Sequence, residues 1–97
     1  MWILVMFDLP VVRKDERKAA ADFRHGLLDL GFEMSQFSVY LRFCTSYAAV
    51  ETLSRQIEAM LPRGGKVNIL TVTDKQFERI RTFRGGRRQA PEQLALF

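Results

Sequence analysis

The chain has 97 residues, 47% of them hydrophobic and 11% aromatic, and a formal charge of +4. A domain this short buries only about 60 to 65% of the surface that its unfolded form exposes. Such a high apolar content therefore predicts cover from a second copy or a partner, and we expect a homodimer. A single cysteine, Cys44, and a single histidine, His25, exclude an intrachain disulfide and a zinc-type ligand set, as fits a reducing cytoplasm.

The apolar run Trp2 to Phe7 is short and rich in branched and aromatic residues, as in a strand buried on both faces. It lacks a basic leader and meets Asp8 far short of the ~20 residues that span a bilayer, so no export or membrane segment is expected. Leu9 and Pro10 end the strand. From about Arg13 to Leu30 the set Ala20, Phe23, Leu27 and Leu30 recurs at helical spacing, and Gly31 stops the helix. Glu33 to Cys44 alternates, which predicts one long strand or two with a break near Ser38, with Phe37, Val39, Leu41 and Phe43 on the core side. Thr45 or Ser46 caps a second helix with the core face Val50, Leu53, Ile57 and Met60 or Leu61, ended by Pro62. After the turn Arg63, Gly64 and Gly65, the stretch Lys66 to Thr73 reads as a strand too continuously apolar for a solvent-facing ribbon. Phe77 to Phe83 fits either a strand or a helix turn. This order predicts an α+β, ferredoxin-like βαββαβ sandwich, an antiparallel sheet with two helices on one face and an extra C-terminal strand or tail. Residues 1–84 form the domain, and 85–97 a basic linker with an apolar tail.

Charge is unevenly spread. Residues 1–62 hold seven Lys/Arg against eight Asp/Glu, whereas residues 63–97 hold eight against three, and eleven of the fifteen cations are arginine. The arginine fork matches phosphate oxygens, which points to a polyanionic partner, although solvated surface arginines give the same composition. Arg79, Arg81, Arg84, Arg87 and Arg88 form the better candidate phosphate patch, the first pair alternating as on one side of a strand. Arg13 and Arg17, with Lys14 and Lys18, form a second group at the first helix; Asp15 and Glu16 make it equally readable as a solvated helix start. No base-reading signature accompanies either group, so duplex contact would run through backbone and shape.

Asp8, at the carboxyl end of the first strand, is the one candidate metal ligand and catalytic residue. Mg2+ keeps several waters and accepts one or two carboxylates, so a two-fold axis near Asp8 would supply the second; such a site activates water and neutralises phosphodiester charge without a histidine base. An aspartate before Leu and Pro is also a common turn residue that bonds nearby backbone amides. His25 reads as a surface residue and Cys44 as a buried strand residue.

Three stretches resemble, in order, the CRISPR-associated protein two family, the small companion of the CRISPR spacer integrase. They are Phe7 to Pro10, Gly31 and Phe32 leading to Gln36 through Tyr40, and Leu70 through Phe77. The resemblance implies a ferredoxin-like homodimer in which two first-strand aspartates, here Asp8, face each other and share Mg2+ or another divalent cation. It implies metal-dependent cleavage of single-stranded RNA or duplex DNA, and a role in spacer acquisition as a scaffold that binds duplex DNA and bridges integrase subunits. It also makes Leu94, Leu96 and Phe97 candidate docking residues for the integrase or the other protomer, by strand addition. The family often has tyrosine before the aspartate; here Phe7 has no hydroxyl. The competing readings are a stand-alone metal-dependent endoribonuclease, and a non-catalytic nucleic-acid-binding or small-ligand module of the same fold.

Overall fold

The computed structural model describes residues 1–86. Its elements run β1 (Trp2–Asp8), α1 (Lys14–Asp29), β2 (Glu33–Gln36), β3 (Val39–Phe43), α2 (Tyr47–Met60), β4 (Lys66–Val72) and the one-turn α3 (Asp74–Glu78). The strands form one antiparallel sheet in the order β2-β3-β1-β4, the arrangement expected of a ferredoxin-like sandwich.

Local chemistry sets the element ends. Glu16 reaches back to accept from the backbone N–H of Arg13, 2.8 Å away, and so satisfies a donor at the start of α1. Gly31, at φ 87°, ends that helix with its N–H on Leu28 O, while the Phe32 N–H bonds Leu27 O. Ser46 caps α2 by accepting from the Ala49 N–H. The 33–44 region is two strands, broken at Phe37 and Ser38, where Ser38 takes φ 64° and its carbonyl accepts from the Phe7 N–H. The register of β2 against β3 also shifts between Met34 and Gln36.

Because side chains alternate across a strand, the cross-strand register sorts the sheet into two faces. One carries Ile3, Val5 and Phe7 with Tyr40, Arg42, Val67 and Ile69, and lies under the helices. Its core comprises Ile3, Val5 and Phe7 with Phe23 and Leu27 of α1, and Val50, Leu53 and Ile57 of α2; Phe32, Tyr40 and Cys44 complete it. Phe7 meets Phe23 edge-on at 5.1 Å between centroids. Gly26 lets the two helices approach, since a Cβ there would lie 2.5 Å from Met60 Sδ.

The opposite face carries neither α1 nor α2, and only α3 touches it, at its Trp2 end. It reads in rows across β3, β1 and β4: Phe43, Trp2, Val72; then Leu41, Leu4, Leu70; then Val39, Met6, Asn68; and last Asp8 beside Lys66. This corrects the sequence expectation for 33–44. Phe37, Val39, Leu41 and Phe43 are not on the core side; Tyr40 and Cys44 are, at 3% and 4% exposure. The register of β3 against β1 decides the matter, because Val5, itself fully buried, pairs with Tyr40. Likewise β4 is an edge strand whose Leu70 is 48% exposed in the single chain.

The stretch after β4 forms no strand among the described residues. Thr73 accepts from the Gln76 N–H, and Gln76 Oε1 accepts from the Thr73 N–H, a reciprocal cap that turns the chain into α3. Phe77 then stacks on Trp2, with centroids 4.1 Å apart and planes 13° apart, while Phe43 meets Trp2 edge-on at 5.4 Å. The alternation expected of Arg79 and Arg81 on a strand is absent: Arg79 is the C-cap of α3, and Arg81 follows in irregular backbone.

Candidate functional site

Asp8 is the last residue of β1 and lies on the face opposite α1 and α2, in line with Trp2, Leu4 and Met6. It is exposed, and among the described residues no hydrogen bond or ion pair engages its carboxylate. The turn-residue reading, in which the side chain bonds neighbouring amides, is therefore set aside. Leu9 and Pro10 carry the chain away from the site and pack beside the 62–65 turn, where a Cβ on Gly65 would lie 2.7 Å from Leu9 Cδ2. On one side of Asp8 lies the 37–38 turn, tied to Phe7 by Ser38 O; on the other is Lys66, its cross-strand partner.

Phe7 points the other way, into the core against Phe23 and Tyr40. Alternation on β1 thus puts the residue before the aspartate on the face opposite to it, and a hydroxyl at Phe7 would sit under the helices.

A divalent ion such as Mg2+ keeps several of its waters and takes one or two carboxylates. An exposed carboxylate free of competing donors suits that demand, and a second copy placed against the face opposite α1 and α2 could add another. No group of three His, Cys, Asp or Glu side chains among the described residues could form a closed cage. A single chain thus offers such an ion one carboxylate at Asp8, and no structural metal centre among the described residues.

The other candidates are dispersed. Arg13 pairs with Asp15 through Nε and Nη2 at 3.1 and 3.0 Å, and Arg17 donates to the carbonyls of Val12 and Val11 at 2.7 and 3.4 Å. Both are thereby occupied: Arg17 anchors the loop that follows Asp8, with Val12 at its tip 85% exposed. Arg79, Arg81 and Arg84 are exposed, and no ion pair engages them among the described residues. Arg87, Arg88, Leu94, Leu96 and Phe97 lie outside the described residues. His25 is exposed on α1 and Cys44 is a buried free thiol. Two open depressions, of about 350 Å³ beside Phe23 and Met60 and about 490 Å³ between α2 and β4, lie on the helix side, and Asp8 lines neither. Sequence reasoning did not bring Lys66 to Asp8, since its place there follows only from strand register. No helix of the described residues is long and apolar enough to cross a membrane.

Comparison with known proteins gives the family and the fold. Residues 1–80 match the family model described as CRISPR associated protein Cas2. A protein of Paracidovorax avenae named CRISPR-associated endoribonuclease Cas2 is 63% identical, over 100% of this chain and 94% of its own length. The protein of the same name from Parvibaculum lavamentivorans is 46% identical over the whole of both chains. The crystal structure of Streptococcus pyogenes Cas2 at pH 6.5 superposes with a TM-score of 0.63 at 17% identity, covering 87% of this chain and all of that one, and shows the same fold. The chain belongs to the CRISPR-associated Cas2 family.

Proposed function

We propose that this Cas2-family chain acts in the cytoplasm as a homodimeric, metal-dependent endonuclease of the CRISPR system, with Asp8 as its catalytic and metal-binding residue and single-stranded RNA as its substrate. The observation that carries this reading is the Asp8 carboxylate, exposed and unengaged, at the end of an apolar sheet face that neither α1 nor α2 covers. The name endoribonuclease borne by the relatives supports the reaction class.

In this reading a second copy covers the rows built on Trp2, Leu4 and Met6, and so brings two Asp8 carboxylates near one axis. Mg2+, when bound there, supplies charge neutralisation at the phosphodiester and a more acidic water. Asp8 holds the ion and accepts hydrogen bonds from its water shell; the apolar rows exclude bulk water on one side. His25, the only histidine, is exposed on α1, so no imidazole base serves the site.

Labelled single-stranded RNA and duplex DNA, incubated with wild-type and Asp8→Asn protein in Mg2+ or chelator, test this. We expect RNA cleavage to fall at least ~100-fold both in the variant and without metal. Cleavage that persists in Asp8→Asn overturns the assignment.

A second reading rests on Arg79, Arg81 and Arg84, exposed cations without an ion-pair partner among the described residues. These suit phosphate contacts on duplex DNA, in an adaptor that bridges integrase subunits during spacer acquisition, with Arg87 and Arg88 extending the patch and Leu94, Leu96 and Phe97 docking a partner. Duplex retention then survives Asp8→Ala and falls, with a shallower salt slope, when the arginines become alanine. Arg13 and Arg17, already engaged, take a lesser part.

A further inference from the structure

We infer that Lys66 is a substrate-positioning residue of the Asp8 site, holding a phosphate of a single-stranded nucleic acid beside that carboxylate. The inference rests on the reading of Asp8 as the reaction centre and adds the group that orients the substrate there.

Four observations carry it. Lys66 opens β4 as the direct cross-strand partner of Asp8, so both side chains leave the same face of the sheet. Cross-strand partners have Cβ atoms about 4.5 to 5.5 Å apart, which puts the ammonium, on its four-carbon stem, within reach of anything bound at Asp8. The two have nevertheless not closed into an ion pair, and no ion pair holds the Lys66 side chain among the described residues. Finally, the arginines that follow Asp8 along the chain are engaged elsewhere, Arg13 on Asp15 and Arg17 on the Val11 and Val12 carbonyls.

The chemistry follows from charge. A carboxylate alone repels a phosphodiester, and a flexible ammonium beside it offsets that repulsion while offering three donors to a non-bridging oxygen. Carboxylate and ammonium together form a site with little net charge, suited to a cation and an anion that arrive together. A purely structural cross-strand pair would instead show its effect in stability.

The test uses the full chain as Lys66→Ala, Lys66→Arg and Asp8→Asn, with Arg55→Ala as a control that removes the same charge from an exposed position of α2. Retention of a short single-stranded RNA is measured in chelator across a salt series, and cleavage in Mg2+ is resolved into kcat and KM. Lys66→Ala should weaken retention about three- to tenfold and lower the salt slope by about 0.7 for each phosphate that is no longer neutralised. It should raise KM by a similar factor and leave kcat within about twofold. Lys66→Arg and Arg55→Ala should behave as wild type. Unchanged retention and salt slope in Lys66→Ala, or an equal change in Arg55→Ala, overturns the inference, as does a fall in kcat at constant KM. Failure of the Asp8 reading is separate: Asp8→Asn would then cleave as wild type does, while the chelator measurement still decides what Lys66 holds. Thermal melting of each variant confirms that it is folded.

Discussion

The two faces of the sheet are built from the same strands and are almost equally apolar, yet only one is finished. Under the helices, Ile3, Val5, Leu27 and Ile57 are wholly buried, and the packing is complete within one chain. On the other face the leucine row Leu41, Leu4 and Leu70 ends in a residue that is 48% exposed, and Phe43, in the next row on the far side of β1, is 46% exposed. A small domain has apolar residues enough for one core; a second apolar face on the same sheet implies association.

The comparison predicts different kinds of damage on the two faces. The largest effect belongs to the finished face: Leu27→Ala should cost about 3 to 5 kcal/mol in urea unfolding, equally at low and high protein concentration. A loss below about 1 kcal/mol would mean that the helix layer is not the core. Between the helices, Gly26→Val forces Met60 aside and should cost about 1 to 3 kcal/mol by overpacking. Removing the cap that starts α3, by Thr73→Ala, should cost about 1 kcal/mol; thermal melts read both. The smallest effect on stability belongs to the open face, where Leu70→Asp should leave unfolding of the dilute chain within about 0.5 kcal/mol. It should nevertheless shift the protein from dimer to monomer in sedimentation; a variant that still dimerises breaks the proposed use of that face.

Much of this is legible from the residues. The alternation of types, the glycine after α1 and the proline after α2 mark element order, and a carboxylate closing a buried strand marks Asp8. What pattern alone cannot fix is which side of a doubly apolar strand the helices take. Along 33–44 the odd positions Phe37 to Phe43 are the more hydrophobic, and Tyr40 reads as polar, yet Tyr40 is the one buried because β1 pairs it with Val5. Lys66 escapes a reading of the sequence for a related reason: its meeting with Asp8 depends on the register of strands that are distant along the chain. The arginines after β4 alternate as they would on a strand, but the reciprocal cap of Thr73 and Gln76 starts a helix turn there and overrides that pattern.

Trp2 is the only tryptophan of the chain, and it sits in the end row of the open face between Phe43 and Phe77. The face under question thus carries its own optical reporter. Its intrinsic emission should change when a second copy removes water from that row, and again when Phe77→Ala withdraws the stacked ring, so assembly can be followed at native concentration with no label added.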